Sequence, residues 1–163
     1  MNIKPICQRD ACWRYRLLGT STQTVGDAGC LLTCVAMVAQ TVNRDLTPNE
    51  LNALLVHVGG FEDQNELRWY AVCDILPLRV ADYGDCEWIP APIKVINDHL
   101  TRGLPVICRV DRFAGIPDDS RQHWVLLLDT AHNYIDPWDA AIRVMADPAK
   151  TILSFWVYEP TGG

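Results

Sequence analysis

The chain has 163 residues and a mass of 18.3 kDa, the size of one domain (1–163) that buries a core without covalent staples. Fourteen Lys and Arg against twenty Asp and Glu give a net charge of −6 and a pI near 5.0. This excludes a sequence-independent nucleic-acid partner, which needs a basic face to release phosphate counterions, and docking on an anionic membrane. Hydrophobic residues at 49% and charged residues at 21% also exclude a disordered chain. No apolar run reaches the ~20 residues that span a bilayer. Met1-Asn2-Ile3-Lys4-Pro5 lacks the apolar stretch of a signal peptide, so a soluble, cytoplasmic protein is expected. The seven cysteines are an odd number with no Cys-x-x-Cys pair, which fits a reducing compartment better than a disulfide framework or a zinc finger.

Asp27 is the expected N-cap of a helix over Cys30–Gln40, apolar almost all round and therefore buried. Thr47-Pro48-Asn49-Glu50 is a capping box with Pro at the first helical position. The helix it opens carries Leu51, Leu54, Leu55 and Val58 as its stripe and stops at Gly59-Gly60. A third short helix is expected over about 64–74, and a fourth, with Ile93, Ile96 and Leu100 on one face, ends at Gly103. Strands are expected at Leu104–Val110, His123–Leu128, Tyr134–Trp138 and Ile152–Tyr158, with Ala131-His132-Asn133 as a hairpin turn. Helices first and antiparallel strands second make an α+β fold, with helices on one face of a sheet.

Cys30 opens the buried helix, where unpaired N–H groups and the positive end of the helix dipole favour a thiolate. Gly29 before it leaves room for a substrate backbone. Position alone leaves Cys30 as either a nucleophile or a packing cysteine; Cys34, one turn on, reads as core. A nucleophilic cysteine needs a base with an orienting partner. His57, His99 and His132 sit at a helix end, on a polar helix side and in a turn. His123 instead opens a buried strand, and Asp136 follows on the next one, where antiparallel pairing sets the two side by side. The same pair also suits a strand end followed by an Asp-Pro turn.

Gly29-Cys30 followed by Leu-Leu-Thr-Cys-Val-Ala-Met-Val resembles the active-site helix of papain-like cysteine peptidases of the bacteriocin-processing, double-glycine type. Gln8-Arg9-Asp10, Trp13, Leu18-Gly19-Thr20-Ser21 and Thr24-Val25-Gly26 look like the lead-in of its soluble, stand-alone branch. Thr47-Pro48, Gly59-Gly60-Phe61 and Leu67-Arg68-Trp69 are similar as well, as are His123-Trp124-Val125 and Ile135-Asp136-Pro137. The resemblance implies a papain-like fold, a helical N-terminal half packed on a C-terminal antiparallel sheet. It further implies a catalytic triad of Cys30, His123 and Asp136, with a Gln upstream of the cysteine as oxyanion donor. Gln8 matches the lead-in; Gln23 is nearer in sequence.

The implied activity is thiol hydrolysis of a peptide or isopeptide bond in a peptide or protein substrate, with no metal or other cofactor. A zinc site from Cys30, Cys34 and His123 lacks a recognised ligand spacing. Leu31-Leu32 replaces the Gly and Pro that often follow the nucleophile, and no transporter segments follow. An inactive binding module of the same fold and an acyltransferase using the same thioester are the competing readings. The charged loop before His123, with Asp111, Asp118 and Asp119 beside Arg109, Arg112 and Arg121, either lines the cleft or is a solvated loop.

Overall fold

A computed structural model describes residues 2–111 and 123–162. The charged loop expected before His123 lies, from 112 to 122, outside the described residues. Helices are α1 (Val25–Ala28), α2 (Cys30–Ala39), α3 (Pro48–His57), α4 (Val72–Ile75), α5 (Ile93–Thr101) and α6 (Pro148–Thr151). Strands are β1 (Phe61–Glu62), β2 (Glu66–Leu67), β3 (Leu78–Asp85), β4 (Val106–Val110), β5 (His123–Leu127), β6 (Asn133–Asp136), β7 (Ala141–Val144) and β8 (Ile152–Pro160). The last six form one antiparallel sheet in the order β3-β8-β4-β5-β6-β7, which makes the fold α+β as expected.

Strand periodicity decides which side chains meet which helices, because successive residues point to opposite faces. On β4 and β5, Ile107 and Leu126 join Val35, Met37, Leu51 and Leu55 of α2 and α3 in one core. Val106, Cys108, Val125 and Leu127 point the other way and join Ile96 and Leu100 of α5 in a second core. The sheet is thus covered on both faces, not on one. The reason is the amphipathic stripe of α5, which has its own apolar surface to bury. The α3 stripe is narrower than expected: Leu51 and Leu55 are buried, whereas Leu54 and Val58 are exposed.

Other expectations change locally. Thr24, not Asp27, caps the entry, its Oγ1 accepting from the Asp27 N–H at 3.2 Å; Asp27 lies inside the separate turn α1. In place of a helix over 64–74 there are the β1–β2 hairpin, a 3₁₀ turn at Trp69–Ala71 and α4. Asp63 and Gln64 take positive φ (45° and 71°), the conformation that turns this hairpin. Strands β3 and β7 carry no clean apolar alternation, so the sequence does not mark them.

Between α1 and α2 sits Gly29, and α1 passes close behind it. A Cβ there would lie 2.5 Å from Val25 O and 2.8 Å from Val25 Cγ1. The missing side chain therefore serves the packing of α1 beneath Cys30, not the approach of a substrate. Gly29→Ala is expected to cost about 1–3 kcal/mol as an overpacking substitution, read as a lower urea midpoint at unchanged slope.

Candidate active site

Cys30 is the first residue of α2 and is half-buried. Its N-cap, Gly29, supplies no side-chain oxygen, so the helix entrance is left to the backbone N–H groups. His123 begins β5 with only 5% of its surface exposed, and Asp136 ends β6. Pairing of Leu126 with Ile135 and Leu127 with Tyr134 brings those strand ends together. His123 Nε2 and Asp136 Oδ1 are 2.7 Å apart. The Cys30 side chain is near enough to act on the same imidazole, raising its pKa together with Asp136. With Nε2 engaged by Asp136, Nδ1 is the ring nitrogen that stays free of the carboxylate.

The carboxylate of Asp136 is held from several directions. Its Oδ1 also accepts from the Trp138 N–H at 2.9 Å, and Arg143 Nη1 lies 3.7 Å from its Oδ2. Arg143 is itself fixed by Asp139, at 3.0 and 2.6 Å. The cation drives the Asp139 carboxyl down to about 2. Asp136 is lowered too: burial opposes its charge, but the His123 ring and the Trp138 N–H outweigh burial. For His123, burial alone pushes the imidazole down. Its bonds to Asp136 and Cys30 win and raise it from 6.5 to about 9. The site thus favours the charged imidazolium form of the ring.

Gln8 is 1% exposed and ties the two halves of the site together. Its backbone N–H donates to Pro137 O at 2.7 Å, and its Nε2 donates to Gly26 O at 3.0 Å, one helical turn ahead of Cys30. Its Oε1 is buried with no hydrogen-bond partner among the described residues. Gln23 is exposed and accepts from the Asn65 side chain at the β1–β2 hairpin. Of the remaining histidines, His57 ends α3 and His132 pairs with Asn97 at 3.1 Å. His99 departs from expectation, tucked against Asp82 at 2.8 Å instead of facing solvent. Cys34 is core, and burial, reinforced by Cys30, pushes its thiol up. Among the described residues, no three His, Cys, Asp or Glu side chains are grouped to hold a metal ion, and no helix is long and apolar enough to cross a membrane.

A cavity of about 320 Å³ opens at Cys30, between the start of α2 and the β1–β2 hairpin. Trp69 and Trp124 form its far wall, edge to face at 5.2 Å. Sequence reasoning named both tryptophans only within matching segments and gave them no place at the site, and it did not mark Arg143. The Asp139/Arg143 spacing was the available signal for the latter.

Two solved structures share this arrangement of elements. The peptidase domain of Streptococcus ComA, a bifunctional ABC transporter involved in a quorum-sensing pathway, superposes with a TM-score of 0.58 at 12% identity. That match covers 98% of this chain and 100% of the other. The fold is that of a C39 peptidase domain. A C39-like peptidase from Bacillus anthracis superposes with a TM-score of 0.51 at 13% identity, over 83% of this chain and 91% of its own. This matches the papain-like, bacteriocin-processing peptidase fold that the sequence resembles. No protein-family model and no curated protein matches the sequence.

The raised value of His123 makes a pH prediction whose sign is fixed. Its bonds stabilise the fold fully below 6.5, and that contribution fades as pH rises through about 9. The lowered Asp136 contributes above its ordinary value of 3.8 and is lost as pH falls below it. In Asp136→Asn, burial is left less opposed, so the imidazole titration followed by nuclear magnetic resonance should move down from about 9. An unmoved titration would contradict the assignment of Asp136 as its partner.

Proposed function

We propose that the protein is a thiol hydrolase, a cysteine peptidase that cleaves a peptide or isopeptide bond through an acyl-enzyme on Cys30. The observation that carries this reading is the His123 imidazole, held by the Asp136 carboxylate at 2.7 Å, with the half-buried Cys30 close enough to help raise its pKa. The likeness to C39 peptidase domains supports it at the level of fold.

In this mechanism the Cys30 thiolate attacks the carbonyl carbon, forming a C–S bond and moving the carbonyl electron pair onto oxygen. The Cys30 backbone N–H at the helix entrance and the Gln8 amide stabilise that oxyanion. Imidazolium His123 gives its proton to the leaving nitrogen as the C–N bond breaks. His123, now neutral, takes a proton from water, whose oxygen attacks the thioester and releases the acid and Cys30. Asp136 holds the ring in the tautomer and orientation both steps need. A binding module without catalysis is the second reading. The observation in its favour is that the Gln8 amide already donates to Gly26 O. An acyltransferase would use the same groups with another acceptor than water.

The test is the pH dependence of iodoacetamide labelling, with each modified cysteine mapped by mass spectrometry. Cys30 is expected to react first of the seven and to slow markedly in His123→Ala. Peptide hydrolysis is expected to vanish in Cys30→Ala and to fall about 10²–10³-fold in kcat in Gln8→Ala, the usual effect of losing one oxyanion donor. Equal labelling of all exposed thiols, independent of His123, would leave the binding module as the better description.

A further inference from the structure

Strand β7 brings a further charge to His123 and Asp136, and the register of the sheet puts it there. Asp136 pairs with Ala141 and Tyr134 with Arg143, so Asp136 and Arg143 are diagonal neighbours on one face of the β6–β7 hairpin. Ala141, directly opposite the carboxylate, carries only a methyl group and leaves the longer side chain room to reach across. The turn between them is closed by the Ala140 N–H, which donates to Asp136 O at 2.8 Å. Among the described residues, the His123 ring and the Trp138 N–H both meet Oδ1 of Asp136, and the charged group at Oδ2 is Arg143, with Nη1 at 3.7 Å. Asp139 grips the same guanidinium at both Nη atoms and is anchored in turn by the Ala141 N–H at 3.0 Å.

An imidazolium beside an ionised carboxylate holds its proton tightly, whereas a general acid works best with a pKa near the operating pH. Burial pulls His123 down, but Asp136 and Cys30 outweigh it and raise the ring to about 9. Most other ionisable groups around the pair are neutral or negative. They are Cys34 of α2, Tyr134 of β6, Asp139 of the turn, and Asp111 after β4, which borders a space of about 150 Å³ with His123 and Asp136. Of the cations, Arg9 lies over the Trp138 ring at 4.4 Å, and Arg143 alone among the described residues, apart from the ring itself, comes within 4 Å of the carboxylate.

We propose that Arg143 is a positioning residue that acts on His123 through Asp136: its guanidinium takes up part of the carboxylate's charge, so that the imidazolium gives its proton to the leaving nitrogen more readily. The proposal rests on the hydrolase reading above and changes none of its steps. The proton leaves the ring as the C–N bond breaks, and the ring regains one from water when the thioester is hydrolysed. Asp139 sets the strength of the effect, since it fixes the guanidinium in place and cancels part of its field. The Arg143 and Asp139 side chains are 44% and 42% exposed, so solvent screens both charges and the tuning is modest.

The experiment follows the His123 imidazole by nuclear magnetic resonance in the full chain carrying Arg143→Gln, Arg143→Lys or Asp139→Asn. Loss of the cation should move the titration up from about 9, and lysine should bring it back. Asp139→Asn, which leaves the cation unopposed, should move it down. A clamp that only holds the turn is broken alike by Arg143→Gln and Asp139→Asn, so shifts of the same sign, or no shift, overturn the proposal. Kinetics with benzyloxycarbonyl-Gly-Gly p-nitroanilide and the matching p-nitrophenyl ester give a second readout. In Arg143→Gln, kcat for the anilide should fall about three- to tenfold with KM and the ester rate little changed, because nitrophenolate leaves without a proton. An equal fall for anilide and ester counts against the proposal and leaves the thiol chemistry standing. A wild-type Cys30 that labels no faster than the other thiols and ignores His123 brings down the hydrolase reading instead, and this proposal with it.

Discussion

The wedging of α2 between α3 and the β4–β5 pair is the constraint from which the site follows. Residues 32–39 of this helix are all buried, so it has no solvent face along which to slide or rotate. A helix rises 1.5 Å per residue and is stiff over ten residues, so fixing its body fixes its first residue. That residue is Cys30. The strand against which α2 packs, β5, begins with His123, so one packing interaction sets both the nucleophile and the ring beside it. Groups held on the ends of rigid elements keep their geometry better than groups on loops.

Charge burial supplies the second constraint. An imidazolium and a carboxylate taken out of water are costly unless their bonding capacity is filled. Here Asp136 is met by a ring nitrogen from β5, a backbone N–H from the turn that leaves β6 and a nearby guanidinium from β7. The N-terminal segment joins this arrangement through Gln8, whose backbone grips Pro137 and whose side chain reaches Gly26. The turn after Asp136 and the turn before Cys30 are therefore joined by one buried residue.

Much of this was legible in the sequence where local and global signals agree. The capping box at Thr47–Glu50, the all-apolar Cys30–Ala39 run and the Leu104–Val110 and Ile152–Tyr158 runs each become an element close to the expected limits. The β1–β2 hairpin has no sequence mark, and a helix is expected from about 64 instead, because its turn uses Asp63 and Gln64 at positive φ, where glycine or asparagine is the usual mark. Strands β3 and β7 were silent because their side chains are mostly half-buried or exposed, so no apolar alternation records them. At the site, Cys30, His123 and Asp136 stood out as polar residues at the ends of apolar elements. The cavity wall did not, because Trp69 and Trp124 come together only in three dimensions, and each alone reads as core.

Those rings have one more property. Tyr83, Trp156 and Trp69 are stacked in succession, at 4.5 Å and 4.3 Å, and Trp124 closes the series at the cavity beside Cys30. Indoles this close and nearly parallel couple as excited states, so the column gives the folded protein an optical signature that depends on its geometry. A group entering the cavity touches one end of that coupled array. Intrinsic fluorescence and near-ultraviolet dichroism thus carry information about occupancy of the cleft, without any label having to be attached.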